Sequence, residues 1–143
     1  MPEIFKVSSG GKYEAMHSHS RLVMIDNWIF MSNSAGVIPS TLTFASDPVE
    51  QAKQALDNIE HALKTVGAEI ADIVRLVIRI PNRRDIFPVM DHIGHRMKGI
   101  DPAMTLCCTP LGSDDYKVEI EVTAYKGAGR EQVVRLSSGL FGK

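Results

Sequence analysis

Residues 46–80 read SDPVEQAKQALDNIEHALKTVGAEIADIVRLVIRI, which carries a helix start, an amphipathic helix, a stop and a strand in one run. Asp47 stands where a cap accepts the free backbone N–H groups of a first turn. Pro48 suits the first helical position, and Glu50 follows three residues after the cap. Val49, Ala52, Leu56, Ile59, Leu63 and Val66 recur every three or four residues. Gln51, Lys53, Asp57, Asn58, Glu60 and Lys64 fill the opposite side, and Gly67 supplies the stop. Over 73–80 the period changes to two, with Val74, Leu76, Ile78 and Ile80 alternating with Arg75, Val77 and Arg79. A helix with one apolar side followed at once by such a strand predicts that the first lies on the second.

Working outward, the turn at 81–84 leads to Asp85, which can cap a second helix carrying Ile86, Met90, Ile93 and Met97 on one stripe, with Pro88 in its first turn and Gly99 at its end. A strand over 104–108 passes through the turn-rich 110–115 into 117–125, where Val118, Ile120, Val122 and Ala124 alternate with Glu119, Glu121, Thr123 and Tyr125. Upstream, strands over 22–25 and 28–32 flank Asp26-Asn27, a two-residue hairpin turn. The order ββ-α-β-α-ββ predicts an α+β domain over 1–125, with both helices on one face of a mixed sheet. The opposite face carries Arg75, Val77, Arg79, Glu119, Glu121 and Thr123, a pattern that either stays wet or meets another subunit. Residues 126–143 read as a C-terminal extension in which 132–136 is strand-like.

The 143 residues suffice for one core and leave no room for a second domain. Sixteen basic against 17 acidic side chains give a net charge of -1, without the basic excess that nucleic acid or an anionic membrane attracts. The longest apolar stretches, 22–31 and 73–80, are interrupted by charge and fall short of the roughly 20 residues of a membrane helix. The first 15 residues lack the pattern of a secretory signal, and the adjacent Cys107 and Cys108 cannot bridge each other within a strand. Both features point to a reducing, cytoplasmic setting.

The run from Gln51 to Tyr125, with QALDNIEHALKTVGAEIADIVRLVIRI, DPAMTL and KVEIEVTAY in order, together with WIFMSNSAG over 28–36, resembles the Rid (reactive intermediate deaminase) family. That resemblance implies a chorismate-mutase-like fold and a homotrimer whose sheets form a central barrel with small-molecule clefts between subunits. It also implies hydrolysis of reactive imines or enamines to an oxo acid and ammonia with no cofactor. Glu119 matches the acid to which the family gives the attacking water. Ser32 matches the serine before a ligand-contacting glycine, whose place Asn33 takes, and His19 falls on the family's N-terminal tyrosine. Met104 stands where the deaminating subgroup has its carboxylate-binding arginine, and a thioether forms no ion pair with a carboxylate. Arg21, in a Ser-Arg pair beside the same cleft, is the candidate replacement cation, and Arg75 and Arg79 are further ones.

Each site residue carries a competing reading. Arg75 and Arg79 share a strand face with Glu119 and Glu121, so either acid can pair with them rather than titrate for catalysis. An imidazole can serve as acid or base near neutrality, which makes His19 a candidate for proton transfer. Parity along 104–108 places Cys108 with Met104 toward the cleft and Cys107 toward the helices, and Cys108 is either a nucleophile or a small apolar filler. The pairs His17/His19 and His92/His95 offer two imidazoles each, short of the three or four ligands of a metal site, so no metal is expected. Two further functional readings stand beside hydrolysis: a non-catalytic metabolite sensor or scavenger using the same clefts, and RNA cleavage. The second lacks any interleaved basic and aromatic stripe.

Overall fold

The computed structural model describes residues 2–142. The long helix α2 (Pro48–Lys64) begins as its sequence requires, with the Asp47 carboxylate accepting from the Glu50 N–H at 3.0 Å. It buries Ala52, Ala55, Leu56, Ile59, Ala62 and Leu63. It also buries Gln51, which the periodicity had assigned to the polar side. The amide Nε2 of Gln51 donates to the carbonyls of Ala45 and Asp115, and its Oε1 accepts from the Lys117 N–H, so the side chain ties the helix to the 113–117 turn. Gly36 lies against the same turn of α2: a Cβ there would stand 2.4 Å from the Gln51 carbonyl oxygen. Backbone meets backbone at this point, and glycine is what permits it.

The helix packs on a six-stranded sheet of order β1-β2-β3-β8-β6-β7. Its strands are β1 (Ile4–Val7), β2 (Leu22–Ile25), β3 (Trp28–Ala35), β6 (Ile73–Ile80), β7 (Ala103–Cys108) and β8 (Glu119–Tyr125). A separate two-stranded hairpin, β4 (Val37–Ile38) with β5 (Thr43–Phe44), precedes α2. β6 runs parallel to β7 and antiparallel to β8, so the sheet is mixed. The helix α3 (Ile86–Arg96) adds Val89 and Ile93, followed by Met97, to the same core, and its Arg96 pairs with Asp57 and Glu60 of α2. Asp85 precedes α3 without a side-chain cap bond.

The inward set of β8 is the one its alternation predicts: Val118, Ile120, Val122 and Ala124 are buried, and the residues between them are not. In β6 the ladder shifts between Ile73 and Arg75, so Ile73 rather than Val74 takes the inward place and regular alternation resumes at Leu76. The β4–β5 hairpin was not predicted, nor were β1 and the short helix α1 (Lys12–His17), which buries Glu14. The extension holds a 3-10 turn (Ala128–Arg130), and the strand-like 132–136 forms no strand. Its start is pinned where the Asp72 carboxylate accepts from the Gly129 N–H at 2.8 Å. Further on, Arg135 reaches Asp101 at 2.6 Å. Among the described residues no helix is long and apolar enough to cross a membrane.

Candidate functional site

The face of the sheet turned away from α2 and α3 carries the charged residues expected there. β8 aligns Glu119 with Arg79, Glu121 with Val77 and Thr123 with Arg75. On its other side the β3–β8 ladder is regular to Met31, slips, and resumes at Ser34. That irregularity displaces Ser32 and Asn33 from the ladder, and Asn33 becomes the junction of the site. Its carbonyl accepts from Arg21 Nη2 at 2.5 Å, and its side-chain Oδ1 accepts from Arg79 Nη1 at 2.8 Å. Arg79 Nη1 also donates to Glu121 at 3.1 Å. Ser32 is fixed alongside, donating from Oγ to the Ser20 carbonyl at 2.9 Å.

Glu119 lies within the fields of both arginines. Burial pushes its carboxyl above the ordinary 4.5, and the positive charges of Arg79 and Arg21 only partly offset that. Arg21 is itself pulled down by burial, with Glu14 and Glu119 acting in the opposite sense. Its Nε is buried and has no hydrogen-bond acceptor among the protein's own groups. Burial also acts to raise the Glu14 carboxyl, but hydrogen bonds from Ser9 and Ser8 and the charge of Arg21 outweigh it, so the group is lowered overall. Burial raises the phenol of Tyr116, which stands close enough to Glu119 and Tyr13 for their charges to add to the shift.

Two shallow cavities border this cluster. One, of about 480 Å³, is lined by His19, Ser20, Ser32, Asn33 and Glu121 against an apolar wall of Val23, Phe30 and Met31. The other, of about 310 Å³, lies at the far end of β8 between 81–82 and 110–117, with Tyr116 on its wall. His19, Arg21, Ser32, Asn33 and Glu119 therefore gather in one region of one chain.

Met104 and Cys108 do not join them. β7 is the edge strand, separated from β8 by β6 and so roughly 10 Å away. The parallel register pairs Met104 with Leu76 and Cys108 with Ile80, whose side chains face the helices, whereas Cys107 pairs with Arg79. The expected parity is thus reversed: Cys107 shares the charged face and Cys108 lies on the other, its Sγ 3.8 Å from the Pro81 carbonyl. Cys107 and Cys108 are both free thiols. Arg75 reaches Thr105 Oγ1 at 3.5 Å, about 13 Å along the strand from Arg79. His92 is half-buried, and its Nε2 has no protein partner. Glu14, Tyr116 and the bridging role of Asn33 were not read from the sequence.

Ionisation of Glu119 opposes folding, because its folded-state pKa lies above the unfolded one. The stability of the wild type is therefore expected to fall as pH rises from the ordinary carboxyl value through the raised one. Glu119→Gln removes that dependence, so the Tm of the variant relative to wild type is expected to increase between pH 4 and pH 7. Thermal unfolding across that range checks it, and a constant difference would remove the electrostatic reading.

A family model described as Endoribonuclease L-PSP matches residues 11–126. The human 2-iminobutanoate/2-iminopropanoate deaminase is 30% identical over 117 residues, covering 79% of this chain and 83% of the relative. The chloroplastic Reactive Intermediate Deaminase A of Arabidopsis thaliana is 30% identical over 114 residues, covering 77% of this chain and 59% of the relative. Among solved structures, a Mycobacterium tuberculosis member of the YjgF/YER057c/UK114 family superposes with a TM-score of 0.77 at 28% identity, covering 86% of this chain and 99% of that one. The matched span contains every residue of the cluster around Glu119, and the chain belongs to the Endoribonuclease L-PSP family, which includes the reactive intermediate deaminases its sequence resembles.

Proposed function

We propose that the protein hydrolyses reactive imine or enamine metabolites to the carbonyl compound and ammonia, with Glu119 handling the attacking water. The observation that carries this reading is a half-buried carboxyl with a raised pKa, set between two arginines that Asn33 connects by hydrogen bonds. A general base works best when its pKa approaches the working pH, and burial moves Glu119 that way while Arg21 and Arg79 keep its ionised form accessible. Water loses a proton to Glu119 as its oxygen bonds to the imine carbon, and the nitrogen takes up a proton. The resulting carbinolamine then expels ammonia as the carbonyl forms. His19, Ser32 and Asn33 on the cleft wall contact the substrate, and Arg21, hydrogen-bonded to the Asn33 carbonyl, holds that wall in place. The names of the human and Arabidopsis relatives support this chemistry.

The assembly proposed with it is a homotrimer in the cytoplasm. A second copy is the means by which Met104 and Cys108, on the edge strand, can border a Glu119 cluster from which they are separated within one chain. Free adjacent thiols fit a reducing compartment. The test is ammonia release from imines generated in situ by an oxidase, with semicarbazide trapping the survivors. Acceleration over the buffer rate is the expected result. No acceleration with any imine would leave the cleft as the binding site of a non-catalytic protein.

A further inference from the structure

We propose that the imine hydrolysed at this site carries no carboxylate and is the neutral or protonated imine of a simple amine, because the cleft wall presents Glu121, the arginine that reaches that wall is already paired with this acid, and Met104 has no charge. This inference rests on the hydrolase reading above and narrows it to one substrate class. Arg79 gives one nitrogen to both Glu121 and Asn33 Oδ1, at 3.1 and 2.8 Å. The guanidinium of Arg21 is held to the Asn33 carbonyl and stands in the field of two acids, Glu14 and Glu119. One carboxylate is thus paired with Arg79, and the charges of Glu14 and Glu119 act on Arg21. The edge-strand position expected to bind a carboxylate is Met104, which has no charge to offer.

A substrate carboxylate entering here loses its hydration and meets Glu121 on the cleft wall, where Arg79 is already committed to that acid and to Asn33. A protonated imine meets the opposite situation. It is the more electrophilic form, its charge is complementary to Glu119 and Glu121, and its carbon substituents fit the wall of Val23, Phe30 and Met31. The stoichiometry is unchanged: the C=N carbon gains the water oxygen, the C–N bond breaks, and one ammonia leaves per carbonyl compound, with no oxidant or reductant consumed.

The test compares two imines of matched side chain, one made by a flavin amine oxidase from a primary amine and the other by an amino-acid oxidase from the corresponding amino acid. Ammonia release over the buffer rate, accelerated by the purified full-length protein, is the readout. The amine-derived imine is expected to show a kcat/KM higher by about tenfold or more. Glu121→Gln, which releases Arg79 from its ion pair, is expected to move that ratio toward the imino acid by about tenfold. An imino acid that reacts as fast as or faster than its uncharged counterpart in the wild type overturns the inference while leaving the hydrolase reading in place. A ratio unmoved by Glu121→Gln overturns the charge argument. Acceleration of neither imine overturns both.

Discussion

Replacing Glu119 by alanine is expected to lower the rate of imine hydrolysis by roughly 10²–10⁴-fold, the usual contribution of a positioned general base. The loss should appear in kcat, because the carboxylate acts on water as the carbon–oxygen bond forms, whereas the cleft wall is left intact. The fold is expected to survive, since Glu119 lies on the uncovered sheet face and makes none of the core contacts of Ile120 and Val118 beside it. Removing a carboxyl whose ionisation opposes folding should, if anything, raise stability at neutral pH. Ammonia release and thermal unfolding measured on the same preparation separate the two effects. A variant that keeps wild-type turnover would show that Glu119 does not handle the water.

Replacing Gln51 by leucine is expected to cost roughly 3–5 kcal/mol of stability, one of the largest effects of any near-isosteric change in the chain. The three groups it serves, the carbonyls of Ala45 and Asp115 and the N–H of Lys117, would be left in or near a site where Gln51 is 1% exposed. Each unsatisfied backbone group of this kind costs about 1–3 kcal/mol, and the three costs overlap because one loop motion partly relieves all of them. Urea unfolding should show a lower midpoint with an unchanged slope. Activity should fall as well, because the same amide anchors the segment that carries Tyr116 and leads into Glu119. A midpoint within experimental error of wild type would mean that water replaces the amide without loss.

Gln51 also marks the limit of what the chain discloses before it folds. The period of 3.6 locates α2 and most of its buried stripe, and the period of two locates β8 and its charged face, because a continuous apolar stripe has nowhere to go but the core. Periodicity classifies side chains by polarity, however, and a buried amide satisfied by three backbone groups looks like any solvated one until the 113–117 turn is in place. The short elements β1 and α1 contain too few residues for a period to show, so Glu14, whose charge acts on Arg21, was not singled out. Strand parity separates Met104 and Cys108 from Cys107 without saying which set faces the helices. That is decided by the ladder to Leu76, Arg79 and Ile80. Family resemblance identified Ser32, Asn33 and Glu119 as a group. The ladder slip that turns Asn33 into a bridge between two arginines leaves no mark in composition or spacing.

In the proposed reaction Glu119, in the field of Arg79 and Arg21, moves the proton during hydrolysis. The pH dependence of kcat/KM in the wild type and in Arg79→Gln, with one imine, tests it most directly, because the titration of the substrate is common to both and cancels in the comparison. Arg79 lowers the Glu119 pKa against the effect of burial, so removing its charge should raise it further. The expected result is an ascending limb whose midpoint lies above the ordinary carboxyl value in the wild type and shifts to higher pH in the variant. A limb that stays in place when Arg79 is replaced would contradict the assignment of Glu119 as the group that titrates.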